Sequence, residues 1–491
     1  MKKINILSVL IMLTLIISLP MNAMAEEPYD VYNYDRWGEA IPSQAGYIAE
    51  KSVSGEDLDI GHFNDPNDIF RDKNNIFYIA DSGNDRIVAV NSEFTKAVKI
   101  YSSFVLPDGS ETELNNPTGI FVSDENKLMY IADNESGRVL VCDMDGRVTL
   151  EITKPESEIF DTKKTFLPQN VAADKAGNIY VVLGNITTGA AMFSPEGEFL
   201  GFYGANRVEP TVEVIGNYFL DIFRSDEKKA RRARNVPSGI TNFDVYGDFI
   251  FTCTSSSTQK TDTVKKLNSA GNNIFYNLSL TFGDYISMYD SNTNTSYETK
   301  ICDIDIAEDG NINVLDYTTG RVFQYDEDCK LLFITGTVAR QLGGFEQPAA
   351  LETMGNDIYI LDRQKNSVTI FTETSFGKAV HEASYLYNKG YYEEALEPWY
   401  EVLKRDGNYR PACIGIASGL LNKGDYKGSM KYAKLAGSSA IYNKAFEGYR
   451  REFLDKHFNK IIAGAVILMS AAAVFRKIRR RSSKKEDGKS A

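Results

Sequence analysis

The sequence predicts a mainly β protein: a six-bladed β-propeller, then an α-helical module, then one transmembrane helix. Three observations predict it. A strand–turn–strand pattern recurs about every fifty residues, as in Asn64 to Val90 and again in Asn115 to Val141. Its strands are short and alternating, with Gly, Asn and Asp between them, which reads as β-meanders. After Phe371 the period changes, and Gly390-Tyr391-Tyr392 returns as Gly424-Asp425-Tyr426, 34 residues later. An isolated four-stranded meander leaves one apolar face and two edges open. Radial packing buries the faces and shortens the exposed edges.

Taken in order, residues 1–25 have the form of a secretory signal. Lys2 and Lys3 precede the apolar stretch Ile4–Leu19, and Ala23-Met24-Ala25 is a small-x-small cleavage site. The aromatic and polar segment Tyr29–Gly38 is expected to tie the N-terminus onto the propeller, with sugar stacking as the alternative. The propeller occupies residues 26–376. Unit one runs from about His62 and unit two from Leu114. Unit three begins at Phe166, unit four near Val236-Pro237-Ser238-Gly239-Ile240, unit five at Ile301 and unit six at Gln347. Unit six lacks a last strand, and Tyr47–Val53 has the strand character to supply it and close the ring. A helical insertion is expected at about 208–234, ending in a basic cluster. A second departure, the polar loop Tyr285–Thr299, is either a binding loop or plain variation.

The motif Pro-x-Gly-Ile (Pro117 to Ile120), Ile-Tyr-x-Ala-Asp (Tyr78 to Asp81; Tyr130 to Asp133) and Asn-x-Arg-Ile (Asn84 to Ile87) resembles the NHL repeat. The resemblance covers roughly residues 47–372 and implies the six-bladed NHL/TolB-like propeller. Such propellers carry many activities, so fold is implied far better than function. Aspartates five residues before an arginine recur at Asp81/Arg86, Asp133/Arg138 and Asp316/Arg321. Repetition at equivalent places marks an ion pair across a turn rather than a ligand ring.

Residues 377–458 are similar to tetratricopeptide repeats in period and in the helix–Gly–aromatic–helix order. Two such repeats leave an open end. Ser439–Phe458, with Tyr442, Phe446, Tyr449 and Phe453 at helical spacing, is expected to cover it, and the module to act as a stalk or a peptide groove. Residues 459–478 hold the apolar run Ile461–Phe475 and read as a membrane span. Residues 479–491 complete a basic tail. Basic flanks stay cytoplasmic, which places the propeller outside.

The formal charge of −13 hides the +6 of residues 476–491 and the +2 of Lys2 and Lys3, so the remainder carries about −21. So acidic a surface argues against nucleic acid as a partner. The five cysteines are scattered and odd in number, so no disulfide framework is expected. Three distant histidines make a histidine-ligated metal improbable, and no nucleophile elbow, zincin motif or phosphate loop occurs. No cofactor, metal or catalytic residue is predicted. Candidate ligand contacts follow the repeat proline at the channel mouth: Asn67, Asp68, Thr118, Asn170, Ser238 and Asp303, with Gln169 beside them and Ala349 in unit six. The expected function is a membrane-anchored extracytoplasmic binding or scaffold protein. Its partner would be an envelope protein or transporter component, with a carbohydrate ligand possible and the membrane held through the C-terminal helix. The rival is a lactonase-like hydrolase. Resemblance to gluconolactonase-like propellers implies a divalent metal held by acidic and Asn side chains in the channel.

Overall fold

The computed structural model describes residues 31–160, 163–184, 186–205, 239–255, 263–275, 281–285, 288–290 and 295–487. Six antiparallel sheets form the blades, led by the innermost strands Asp68–Arg71, Pro117–Ser123, Pro168–Ala173, Asn242–Tyr246, Ile301–Ile306 and Pro348–Met354. These inner strands pack side by side in a closed ring, the sixth against the first. Blades one, two, three and five are four-stranded meanders of consecutive strands. Blade four shows three strands among the described residues. Its inner strand starts at Asn242, later than the proline alignment at Pro237 predicts. The signal segment, Ser238 and the expected insertion at 208–234 lie outside the described residues.

Blade six is closed from the other end of the chain. Tyr47–Ser54 pairs antiparallel with Ser367–Glu373, from Tyr47 opposite Glu373 to Ser54 opposite Ser367. This removes the unpaired edge that strand Ser367–Glu373 would otherwise present. The apolar faces of adjoining blades meet as interlayer cores. Blades one and six bury Phe77, Ile79, Tyr359 and Leu361 together, and blades two and three bury Val139, Val141, Val181 and Phe193.

Helix α1 (Ser375–Asn388), α2 (Leu396–Arg405), α3 (Arg410–Asn422) and α4 (Tyr426–Leu435) make two helical hairpins, and α5 spans Ser439–Asp487. Thr374 caps α1 by accepting from Gly377 N, and Asp425 caps α4 by accepting from Gly428 N. Gly390 and Gly424, one period apart, end α1 and α3 at φ +85° and +82°, where a side chain would be strained. Ser429 packs without exposure and donates to Ala417 O at 2.7 Å, so a small side chain seats α4 on α3.

The module is not a separate stalk. Phe376, Val380, Trp399, Tyr409 and Ile416 share one core with Leu332, Phe333 and Phe371 of blades five and six and with Tyr47 of the closing strand. Gly46 makes this fit: a Cβ there would overlap the Phe333 ring, and its carbonyl accepts from Thr374 N at 2.9 Å. The segment Tyr32–Pro42 forms a hairpin that also seals this junction. Tyr34 Oη donates to Asp284 Oδ1 at 2.6 Å, Tyr32 Oη donates to the same oxygen, and Arg321 pairs with Asp284 Oδ2 at 2.9 Å. Asn33 donates to Leu332 O, and Ser43 to Asp406 on the loop after α2. The segment Tyr285–Thr299 contains a small hairpin, Met288–Asp290 with Thr295–Tyr297.

Helix α5 starts against α3 and α4, then leaves the body. Ala445 and Gly448, not the predicted aromatic stripe, make the close contact, with Gly448 lying against the Tyr426 ring. Tyr442, Phe446 and Phe453 stay exposed because a helix buries one face only, and the small residues allow the closer approach. The helix continues without a break through Ile461–Phe475. Within Ser439–Ile478 the most apolar 18-residue stretch has a mean hydropathy of 1.9, and none of it is buried. It is long and apolar enough to cross a bilayer.

Candidate functional site

The channel is built by a bulge that recurs. The inner strand of a blade slips register after its first residue at Pro117/Gly119, Pro168/Asn170, Ile301/Asp303 and Pro348/Ala350. The bulged residues are therefore Thr118, Gln169, Cys302 and Ala349. A one-residue slip exchanges the two faces of a strand, so the residue after each bulge occupies one equivalent place in the ring. That ring consists of Asp68, Gly119, Asn170, Asn242, Asp303 and Ala350. Two residues further along comes a second ring: Phe70, Phe121, Ala172, Asp244, Asp305 and Glu352. Blades one to three line this level with apolar groups and blades four to six with acids.

Of the predicted contacts, Asp68, Asn170 and Asp303 come together around a narrow space in the channel, and Asn242 joins them. Asn67 and Thr118 do not. Asn67 Nδ2 donates to Ser82 Oγ at 2.9 Å, and Thr118 Oγ1 donates to Pro168 O at 3.1 Å, so both serve the turns between blades. Asn242, Asp244, Asp305 and Glu352 escape the sequence reading. Their signal was present in Asn242-x-Asp244 and Asp303-x-Asp305, polar residues at period two inside otherwise apolar strands.

These groups are not free. Asp68 Oδ2 accepts from Ile120 N of blade two at 2.8 Å, and Asp244 Oδ2 from Ile306 N of blade five at 2.8 Å. Asp303 Oδ2 accepts from Leu351 N of blade six at 2.6 Å, and Glu352 Oε2 from Arg71 N of blade one at 3.2 Å. Four of the six junctions are thus latched by an acid on one blade and a backbone amide on the next. Asn170 Nδ2 reaches Asp68 Oδ2 at 3.5 Å, and Asn242 Nδ2 reaches Asp303 Oδ1 at 2.5 Å. Burial raises the Asp68 and Asp244 carboxyls to about 7, the second also through the neighbouring Asp305 charge. Burial likewise pushes Asp303 well above the carboxylate range, and burial with the charges of Asp305 and Asp244 does so for Glu352. Burial thus biases the channel acids towards their protonated form, while the amides of the next blade donate to them. Among the described residues no three of His, Cys, Asp or Glu are gathered as a metal ion would require. On the far side the channel widens into a cavity of about 530 Å³ whose rim includes Arg71, Lys73, Asp124, Lys175 and Glu308.

The repeated Asp is structural at Asp81, Asp133 and Asp316, and Asp362 of blade six joins them. Asp81 pairs with Arg86 at 2.7 Å and Asp133 with Arg138 at 2.8 Å, both acids fully buried. The third pair is corrected: Arg321 turns away to Asp284, while Asp316 accepts from Thr319 Oγ1, Lys300 N and Thr318 N. The constant role is that of a cap. Each Asp accepts from the backbone N–H that leads into its blade, at Asn64, Asn115, Lys300 and Glu346. The five cysteines are unpaired thiols, and Cys302 and Cys329 share blade five without bonding.

The fold defines a six-bladed β-propeller protein with a fused helical region and one long apolar helix. No protein-family model matches the chain, nor does any curated protein. Solved structures with similar folds include virginiamycin B lyase from Staphylococcus aureus, at 10% identity and a TM-score of 0.39, covering 67% of this chain and 100% of that one. Hydrazine synthase of Kuenenia stuttgartiensis has 14% identity and a TM-score of 0.36, over 67% of this chain and 99% of that one. The extracellular domain of a hybrid two-component system from B. thetaiotaomicron has 14% identity and a TM-score of 0.35, over 70% of this chain and 40% of that one. The propeller assignment rests on this chain's own strand order and ring of inner strands.

Proposed function

We propose that this protein is a membrane-anchored binding platform with an NHL-type propeller and tetratricopeptide-like helices held outside the cytoplasmic membrane. The observation that carries the reading is helix α5. It grows out of the rigid head and presents an apolar stretch with none of its residues buried. Apolar surface on that scale is stable only in lipid or against a partner. The basic residues from Arg476 onward follow it directly and favour a cytoplasmic tail. The head is a single packed unit of propeller, N-terminal hairpin and helices, which suits display of a fixed surface to an envelope protein or transporter component. A carbohydrate is the second candidate, at the channel mouth near Asn170, Asn242 and Asp303.

The test is labelling of intact cells with a membrane-impermeant maleimide. Asn443→Cys, in the exposed juxtamembrane part of α5, is expected to react, and Ser482→Cys only after lysis. The reverse pattern overturns the orientation, and release of the protein from membranes by alkaline carbonate overturns the anchor. Site-specific photocrosslinking from the head in cells then identifies the partner. Crosslinks confined to the tail would remove the platform reading.

A further inference from the structure

Where the helices dock on the propeller they leave a cleft of about 220 Å³, bounded by blade five, the N-terminal hairpin, α2 and α3. Two features in it lack a structural explanation. Trp399 is 3% exposed, yet its Nε1 has no hydrogen-bond partner among the described residues. A buried donor without an acceptor is costly, and native structures seldom keep one without a use. Gly415 lies against the face of the indole at that nitrogen, where a Cβ would overlap the ring, so the glycine lets Trp399 pack closely on α3.

Charge is the second feature. The cleft contains two cations. Lys330 is neutralised by Asp328 at 2.8 Å and Asp326 at 3.6 Å. Arg410 spends only its Nε, on Ala436 O at 3.0 Å, and has no carboxylate partner among the described residues. An unpaired guanidinium beside an unpaired indole N–H asks for an anion with acceptor oxygens. The remaining wall is mostly apolar, with Asn33, Ser384 and the Lys330-paired Asp326 among it. Tyr34 and Tyr285 stack at 4.3 Å, and Ile414 lies on the helical side. An apolar cavity of roughly 150 Å³ is enough for benzene, so this one has room for a ring and a carboxyl group.

We propose that this junction cleft binds a small carboxylic acid with a flat apolar body, its carboxylate taken by Arg410 and the Trp399 indole N–H. The site is separate from the channel and independent of the identity of any surface partner.

Full-length protein in detergent micelles is titrated with phenylacetate and with its neutral counterpart phenylacetamide, by calorimetry and by tryptophan fluorescence. The chain has two tryptophans, and Trp37 is 71% exposed, so a change on binding reports Trp399. Phenylacetate is expected to bind one to one and at least about ten-fold tighter than the amide. Trp399→Phe and Arg410→Gln should each weaken phenylacetate at least about ten-fold. Trp399→Phe also removes buried ring volume and is expected to lower the urea midpoint, so Arg410→Gln, at a partly exposed position, is the variant that separates lost binding from lost stability. Absence of saturable phenylacetate binding in the millimolar range, equal binding of the amide, or unchanged affinity in both variants overturns the proposal.

Discussion

Tyr47 is where closing strand, propeller and helices meet, and its removal tests whether they form one cooperative body. Its side chain is 1% exposed, its ring meets Phe333 edge-on at 5.8 Å, and its hydroxyl accepts from Gln324 Nε2 at 2.8 Å. Truncating a large buried aromatic costs about 3–5 kcal/mol through lost transfer energy and the cavity left behind. Here the cavity would open between Phe333 and α1, so Tyr47→Ala should lie at the upper end, about 4–5 kcal/mol. Tyr47→Phe removes only the hydroxyl. Gln324 Nε2 keeps Asn313 Oδ1 at 2.9 Å, so the expected loss is about 1 kcal/mol. Urea unfolding followed by tryptophan fluorescence is the assay, because buried Trp399 shares the core of Tyr47. If Tyr47→Ala costs under about 1 kcal/mol, or Trp399 fluorescence unfolds at an unchanged midpoint while blades one to three melt separately, the single-body reading is wrong.

Asp284→Ala should cost about 3–5 kcal/mol in the same assay, because it removes from a buried site the carboxylate that Arg321 and the Tyr32 and Tyr34 hydroxyls share; proteolysis within Tyr32–Pro42 should accelerate in parallel. Gly390→Ala and Gly424→Ala should each cost about 1 kcal/mol from the positive φ alone, since a Cβ at either meets nothing within 4 Å. The channel acids make stability fall as pH rises. The carboxyls of Asp68 and Asp244 stand at about 7 in the fold against roughly 4 unfolded, so between those values the folded state holds more protons. Each contributes at most about 4 kcal/mol, fully present below about pH 4 and lost as pH climbs to about 7. Urea midpoints measured across that window should show a shallower fall in Asp68→Asn than in the native chain; an equal slope would refute the protonated latch.

Much of the architecture could be read from the residues because its causes are local. The apolar runs Ile76–Asp81 and Leu128–Asp133, and the turns that follow, repeat wherever a blade repeats. The Asp that ends these strands bonds within its own blade, and the exposed run Ile461–Phe475 declares itself by composition. The candidate site was less legible. Proline alignment points to the first residue of each inner strand, but the bulge there turns Thr118, Gln169 and Ala349 away and brings Asn170 and Asp303 round. Where the proline sits off the strand, as in blade four, alignment misses Asn242 and Asp244 altogether.

By itself the sequence determined the repeat, the number of blades and the apolar C-terminal helix, since each follows from hydrophobic period and spacing along one stretch of chain. Only the tertiary structure decided that the helices share a core with blades five and six, that Arg321 leaves Asp316 for Asp284, and that the channel acids latch neighbouring blades. Those partners stand tens to hundreds of residues apart. Their choice depends on which groups ring closure brings within hydrogen-bond reach and which burial leaves no alternative.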